Sequence, residues 1–205
     1  MTLRIYGMSR SRAFRTLWLV HELGIPYEHI KTDISEQGTK SAAFRAINPN
    51  GHIPAIDEDG FKLWESLAIN LYLAKQHVSK GLYPKSPHDE AKTWQWAFWA
   101  TTEVEAPIGV WGMHTQALPA EKRDPKQAAD ALAKLAAPFK VLDDHLKAQP
   151  YLVGRSFSVA DLNLASVMIR CLQMDLKATP KVEAWLKACM ERPAALIARK
   201  MRDQG

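Results

Sequence analysis

The sequence predicts an α/β unit with a mixed sheet over residues 1–78, a linker at 79–88 and an all-α domain over 89–205. Three observations lead there. Short strand-like runs alternate with helical periodicity as far as residue 77. A stretch bearing Gly81, Pro84 and Pro87 then breaks the pattern. Beyond it no strand-like run competes, and Ala, Leu and Lys dominate segments of helical period. A chain of 205 residues suits one large domain or two small ones, and 47% hydrophobic with 24% charged residues excludes disordered and fibrous architectures.

Taken in order, Leu3-Arg4-Ile5-Tyr6 reads as a strand closed by Gly7. Residues 13–23 place Phe14, Leu17, Trp18 and His21 on one helical face, and Gly24 followed by Pro26 ends the helix. Residues 27–34 alternate loosely as a second strand, and a short helix is expected at 42–47. Ile53-Pro54-Ala55-Ile56 and Phe61-Lys62-Leu63-Trp64 flank an acidic turn, Asp57-Glu58-Asp59-Gly60, as a hairpin. Residues 66–77 are helical again. In the second part, residues 89–118, 126–148, 158–173 and 180–190 carry helical periodicity. Ser158-Val159-Ala160-Asp161 has capping-box spacing, and Phe157 and Leu162 stand where a hydrophobic staple would. Asp161 therefore reads as structural.

Composition also excludes functions. The formal net charge is +5, but the surplus is spread along the chain and only residues 192–202 are locally basic, so no nucleic-acid partner is expected. No apolar run is long enough to cross a bilayer and the N-terminus lacks a signal-peptide core, which leaves a cytoplasmic protein with no membrane partner as the expectation. Cys171 and Cys189 make neither a disulfide framework nor a metal motif, and the seven histidines are scattered. Phosphate-binding glycine loops, paired metal-ligand histidines and the Gly-x-Ser-x-Gly elbow are absent, and no metal is expected.

Three local features remain that bear chemistry. Ser9-Arg10-Ser11-Arg12 lies at a helix start, where free N–H groups and a partial positive charge favour an anion. A serine there either donates to a thiolate or oxyanion or, more commonly, caps the helix. Asn48-Pro49-Asn50-Gly51-His52-Ile53-Pro54 ends in a proline at a strand start. A cis Ile53-Pro54 bond would leave the Ile53 N–H and C=O to pair with an extended, peptide-like ligand; a trans proline on an edge strand is the ordinary alternative. Trp64-Glu65-Ser66 precedes a helix, so Ser66 reads as a cap that is also an anion site, beside a carboxylate able to accept from an ammonium. Together these describe a site for a charged, peptide-like thiol.

Across essentially its full length the chain resembles the cytosolic glutathione transferase superfamily. The resemblance rests on Ser11-Arg12-Ala13-Phe14-Arg15-Thr16-Leu17-Trp18-Leu19, on the Asn48–Pro54 motif, on Trp64-Glu65-Ser66-Leu67-Ala68-Ile69 and on Phe157-Ser158-Val159-Ala160-Asp161-Leu162. The first segment is most similar to serine-type bacterial and fungal members. The resemblance implies a thioredoxin-like, glutathione-binding first domain and a helical domain carrying the electrophile pocket. It implies glutathione as co-substrate, a small-molecule electrophile as second substrate, peroxide reduction as a side activity, and a homodimer. By matching position, Ser11 holds the thiolate, with Ser9 as second candidate. Ile53 and Pro54 bind the cysteinyl backbone, Glu65 and Ser66 the γ-glutamyl end, and His52 the glycyl carboxylate. Leu67 stands where some serine-type classes have an arginine, so a second ion pair to the γ-glutamyl group is missing.

A thiol with a pKa of about 8.5 is mostly protonated at neutral pH, and lowering it by two units requires about 2.7 kcal/mol of preference for the thiolate. A hydroxyl donor at a helix N-terminus is of that size in a partly dry site. By the same resemblance the electrophile pocket involves Met8, Trp111, Met113 and His114. The aromatic stripe of Trp94, Trp96, Phe98, Trp99 and Trp111 otherwise reads as core or subunit contact. Two other uses of such a chain are a glutathione-dependent isomerase or dehalogenase, and a non-catalytic interaction protein of the same fold.

Overall fold

The computed structural model describes residues 2–204. They form two compact units, residues 2–83 with 191–204, and Pro84–Met190. The first holds a four-stranded sheet of order β2-β1-β3-β4, built from β1 (Leu3–Tyr6), β2 (Glu28–Ile30), β3 (Ala55–Glu58) and β4 (Phe61–Trp64). β1 runs parallel to β2, with Arg4 opposite Glu28, and antiparallel to β3, with Tyr6 opposite Ala55. The sheet is mixed, as the alternating pattern predicts. Helices α1 (Ala13–Leu23) and α3 (Ser66–Gln76) pack together, and Ile5, Leu17, Trp18, Leu19, Ile56, Ile69 and Leu73 form the core. Gly24 ends α1 in the left-handed region, at φ 62°, returning its N–H to the Val20 carbonyl.

Several boundaries differ from the sequence reading. β2 is shorter than 27–34 because Thr32 Oγ1 bonds back to the Ile30 carbonyl (3.1 Å) and Asp33 Oδ1 accepts from the Ser35 N–H (3.0 Å), which turns the chain away from the sheet. The β3–β4 turn is the pair Asp59-Gly60, at φ 50° and 94°, rather than residues 57–60. A two-residue hairpin loop with both φ positive matches the strand twist, so Asp57 and Glu58 stay in the ladder. The short helix α2 covers Ala42–Arg45, with Ser41 Oγ accepting from the Phe44 N–H at 3.1 Å.

The second unit contains helices only, among the described residues: α4 (Pro87–Trp99), α5 (Glu105–Gly112), α6 (Pro125–Ala148), α7 (Val159–Val167) and α8 (Pro180–Met190). The continuous period over 89–118 resolves into α4 and α5 joined by a π-helical turn, Ala100–Val104, with another at Met113–Ala117. Pro107 explains the first: it has no N–H to give the Glu103 carbonyl and its ring crowds that oxygen, so the helix widens upstream. Every residue of α7 is buried. The capping box is formed: Asp161 Oδ2 accepts from the Ser158 N–H and hydroxyl, both at 3.0 Å.

A ninth helix, α9 (Pro193–Gln204), was not anticipated in the periodicity, and it packs on α1 rather than with residues 89–190. Ala194, Ala195 and Ala198 make its buried stripe, and Arg192 grips Glu22 with Nε at 2.7 Å and Nη2 at 2.8 Å. The expected second domain, 89–205, therefore gives up its last residues to the first unit. Among the described residues no helix is long and apolar enough to cross a membrane.

Candidate functional site

The residues expected from the sequence to hold glutathione all lie in the first unit, around the C-terminal end of β1, whereas Trp111, Met113 and His114, expected at the electrophile pocket, belong to the second. Gly7 is the hinge of this region. Its φ is 142°, and a Cβ there would meet the Cβ atoms of Ala13 at 2.9 Å and Ile53 at 3.2 Å. Only glycine lets the end of β1, the start of α1 and the Ile53 loop converge so closely. The Gly7 N–H bonds to the Ile30 carbonyl at 3.0 Å, and its own carbonyl meets His29 Nε2 at 2.8 Å.

The turn that follows carries both candidate serines, and their surroundings differ. Ser9 is buried and donates its hydroxyl to the Met201 carbonyl of α9 at 2.8 Å. Ser11 is half-exposed. Its Oγ accepts from the Ala13 N–H at 3.1 Å and donates to the Met8 carbonyl at 2.6 Å. Arg12 stands at the cap position of α1, and Ser11 satisfies the first helical amide from one residue further out; its oxygen is thereby fixed while the proton rests on a loop carbonyl that a stronger acceptor can replace.

The Asn48–Pro54 segment folds around one buried side chain. Asn48 Nδ2 donates to the His52 carbonyl at 2.6 Å, and its Oδ1 accepts from the Asn50 N–H at 3.0 Å and Nδ2 at 3.1 Å. Gly51 takes a φ of 64°, with its Cα side close to the Thr39 carbonyl. His52 is exposed. The Ile53-Pro54 bond is cis. Pairing of β3 with β1 begins only at Ala55, so Ile53 lies just outside the ladder.

Glu65 joins β4 to α3 at φ 71° and ψ 109°, an unusual conformation for a residue with a side chain, of the kind that collects at ligand sites. Its side chain is exposed and makes no cap bond. Ser66 is the first helical residue, not the cap expected from sequence. Its hydroxyl is buried and accepts from Arg15 Nη1 at 3.1 Å. Sequence reasoning passed over Arg15. Its signal was a lone cation within residues 13–20 of α1, all of which are buried.

In the second unit, Trp96 and Trp111 are buried while Trp94 and Phe98 are exposed, so the aromatic stripe divides between core and surface. Asp161 is fully buried. Besides Ser158, its Oδ1 accepts from the Leu152 N–H at 2.9 Å and Trp185 Nε1 at 3.0 Å. Burial pushes this carboxyl upward, against the pull of four donors.

Comparison with known proteins places this geometry in context. Residues 1–75 match the family model for the N-terminal domain of glutathione S-transferase, and residues 99–193 match that for its C-terminal domain. Glutathione S-transferase GstB of Escherichia coli is 34% identical over 197 residues, covering 93% of this chain and 94% of that protein. Glutathione S-transferase 3 of Zea mays is 30% identical over 208 residues, 94% and 90% of the two chains. Among solved structures, the theta class glutathione S-transferase of Xanthomonas axonopodis pv. citri with glutathione bound superposes with a TM-score of 0.88 at 30% identity, covering 96% of each chain.

Proposed function

This chain belongs to the glutathione S-transferase family, and we propose that it is a serine-type member in which Ser11 holds the thiolate of glutathione for attack on a small hydrophobic electrophile. The observation carrying this assignment is the contrast between the two serines. Ser9 is buried with its proton committed to Met201, whereas the half-exposed Ser11 can turn its proton from the Met8 carbonyl to sulfur. The Ala13 N–H bond polarises the Ser11 hydroxyl, and the start of α1 adds a partial positive charge. The thiol proton leaves to water. The thiolate then forms a carbon–sulfur bond with the electrophile, whose leaving group departs with the bonding pair.

The remaining residues hold the tripeptide. Ile53, outside the ladder and followed by Pro54, offers its backbone to the cysteinyl unit. Glu65 accepts from the γ-glutamyl ammonium, and Ser66 with the N-terminal amides of α3 receives the γ-glutamyl carboxylate. His52 serves the glycyl carboxylate. Leu67 provides no second cation there. The functional unit is a cytoplasmic homodimer, consistent with the exposed Trp94 and Phe98 one turn apart on α4.

Retention on immobilised glutathione, followed by a chromogenic aryl-halide assay and an electrophile and peroxide panel, tests the assignment. Glu65→Ala and Ser66→Ala should raise KM for glutathione more than they lower kcat, because uniform binding is removed; unchanged KM values rule out those roles. A wild-type protein that neither binds glutathione nor turns over would be a non-catalytic interaction protein instead. Sedimentation showing only monomer would remove the homodimer.

A further inference from the structure

We infer that Arg15 is a positioning residue of the glutathione site, a buried cation that orients the Ser66 hydroxyl toward the γ-glutamyl carboxylate and lies one turn beyond the thiolate-holding Ser11; this rests on the site assignment above. Arg15 is only 7% exposed. Its Nη1 donates to Ser66 Oγ at 3.1 Å, and its backbone carbonyl accepts from Asn70 Nδ2 at 3.2 Å. One residue of α1 therefore holds the first two turns of α3 at two points. Ser11 is tied into the same turn, since the Phe14 N–H bonds to the Ser11 carbonyl and the Arg15 N–H to the Arg12 carbonyl, both at 3.1 Å.

The chemistry follows from what each group can do. A guanidinium only donates, so the Ser66 oxygen must accept from it. The hydroxyl proton is then directed elsewhere, and no acceptor among the described residues takes it. Ser66 is also the first residue of α3, where a backbone N–H has no intrahelical partner. A carboxylate satisfies both donors at once. A hydroxyl already bonded to a cation is the stronger donor to that carboxylate. The same fixed charge, four residues from Ser11, favours thiolate over thiol. A residue that merely clamped α1 to α3 would do neither.

The test uses the full chain with Arg15→Lys, Arg15→Met and Ser66→Ala. Calorimetric titration compares S-methylglutathione with an analogue whose γ-glutamyl unit is replaced by 4-aminobutanoyl, which lacks only the carboxylate in question. Each variant should weaken S-methylglutathione about tenfold and change the decarboxylated analogue by less than about twofold. Ultraviolet titration of bound glutathione should show the thiol pKa rising by about one unit in Arg15→Met and much less in Arg15→Lys, which keeps the charge. Folded Arg15 variants that melt lower yet keep wild-type discrimination and thiol pKa overturn the proposal and leave a clamp. If neither Arg15 variant folds, Ser66→Ala decides: retained discrimination means there is no hydroxyl to position. Wild-type protein that binds neither ligand refutes the glutathione site itself, a separate outcome.

Discussion

Asp161→Ala should cost far more than a lost helix cap. A cap alone is worth about 1 kcal/mol. The structure gives the carboxylate four donors, and removing it strands three that cannot turn away: the Ser158 and Leu152 N–H groups and the Trp185 indole N–H. The Ser158 hydroxyl can rotate to another acceptor. Asp161 is fully buried, so water replaces the lost acceptor poorly. At about 1–3 kcal/mol for each stranded donor, with partial relaxation, the total is about 3–5 kcal/mol. That is a large part of the 5–15 kcal/mol or so by which most domains are stable. The expected loss in melting temperature is about 10 °C for a chain of this size. Asp161→Asn keeps one acceptor oxygen but sets an amide against a donor, so it should fall between. Urea denaturation followed by tryptophan fluorescence measures the midpoint, and aryl-halide conjugation is scored per folded molecule, which should be near wild type. An Asp161→Ala protein with the wild-type midpoint and no conjugation would refute the reasoning, because the carboxylate would then act on substrate rather than on the fold.

Ser11→Ala should reduce turnover by about ten- to a thousandfold, the range for losing one such donor, while binding of S-methylglutathione changes little; a larger kinetic loss in Ser9→Ala would reverse the choice of serine. Ser9→Ala itself should cost about 1 kcal/mol of stability, seen as a small shift in urea midpoint, through the Met201 bond. Gly7→Ala combines a φ of 142° with a 2.9 Å approach to Ala13, and should weaken glutathione binding measured by calorimetry even where the protein folds, because the start of α1 or Ile53 must move. Near the start of α8, burial pushes the Asp143 carboxyl up, but the Lys147 ammonium at 3.1 Å and the Lys181 and Val182 amides more than offset it and hold it below the usual range. A depressed native pKa stabilises the fold above the ordinary carboxylate value of about 4 and ceases to do so as pH falls through the native value. Acid unfolding should therefore flatten below about pH 4 in Asp143→Asn; superimposable wild-type and variant curves would count against it.

What was legible in the sequence was what depends on near neighbours. The Ser158–Asp161 box needs only a spacing of three residues, and β1 and α1 needed only a local pattern and Gly24 to end the helix. The same locality explains the errors. The spacing that found the box could not find Leu152 or Trp185, which reach Asp161 from nine and 24 residues away. The choice between Ser9 and Ser11 depends on Met201, 192 residues distant, whose helix was missed because its buried stripe is alanine and its remaining residues are mostly charged or exposed. Ser66 looked like a cap because serine before a helix usually is one. Arg15, 51 residues earlier, takes its oxygen instead, and the strained Glu65 becomes the boundary. In each case a short polar side chain had two chemically equivalent uses, one with the local backbone and one with a distant donor or acceptor. Local rules assign such a residue its commoner use. Only the tertiary partner shows that the Ser9 proton is spent on the fold; under the function we propose, Ser11, whose proton rests on the nearby Met8 carbonyl, and Ser66 turn theirs to the ligand.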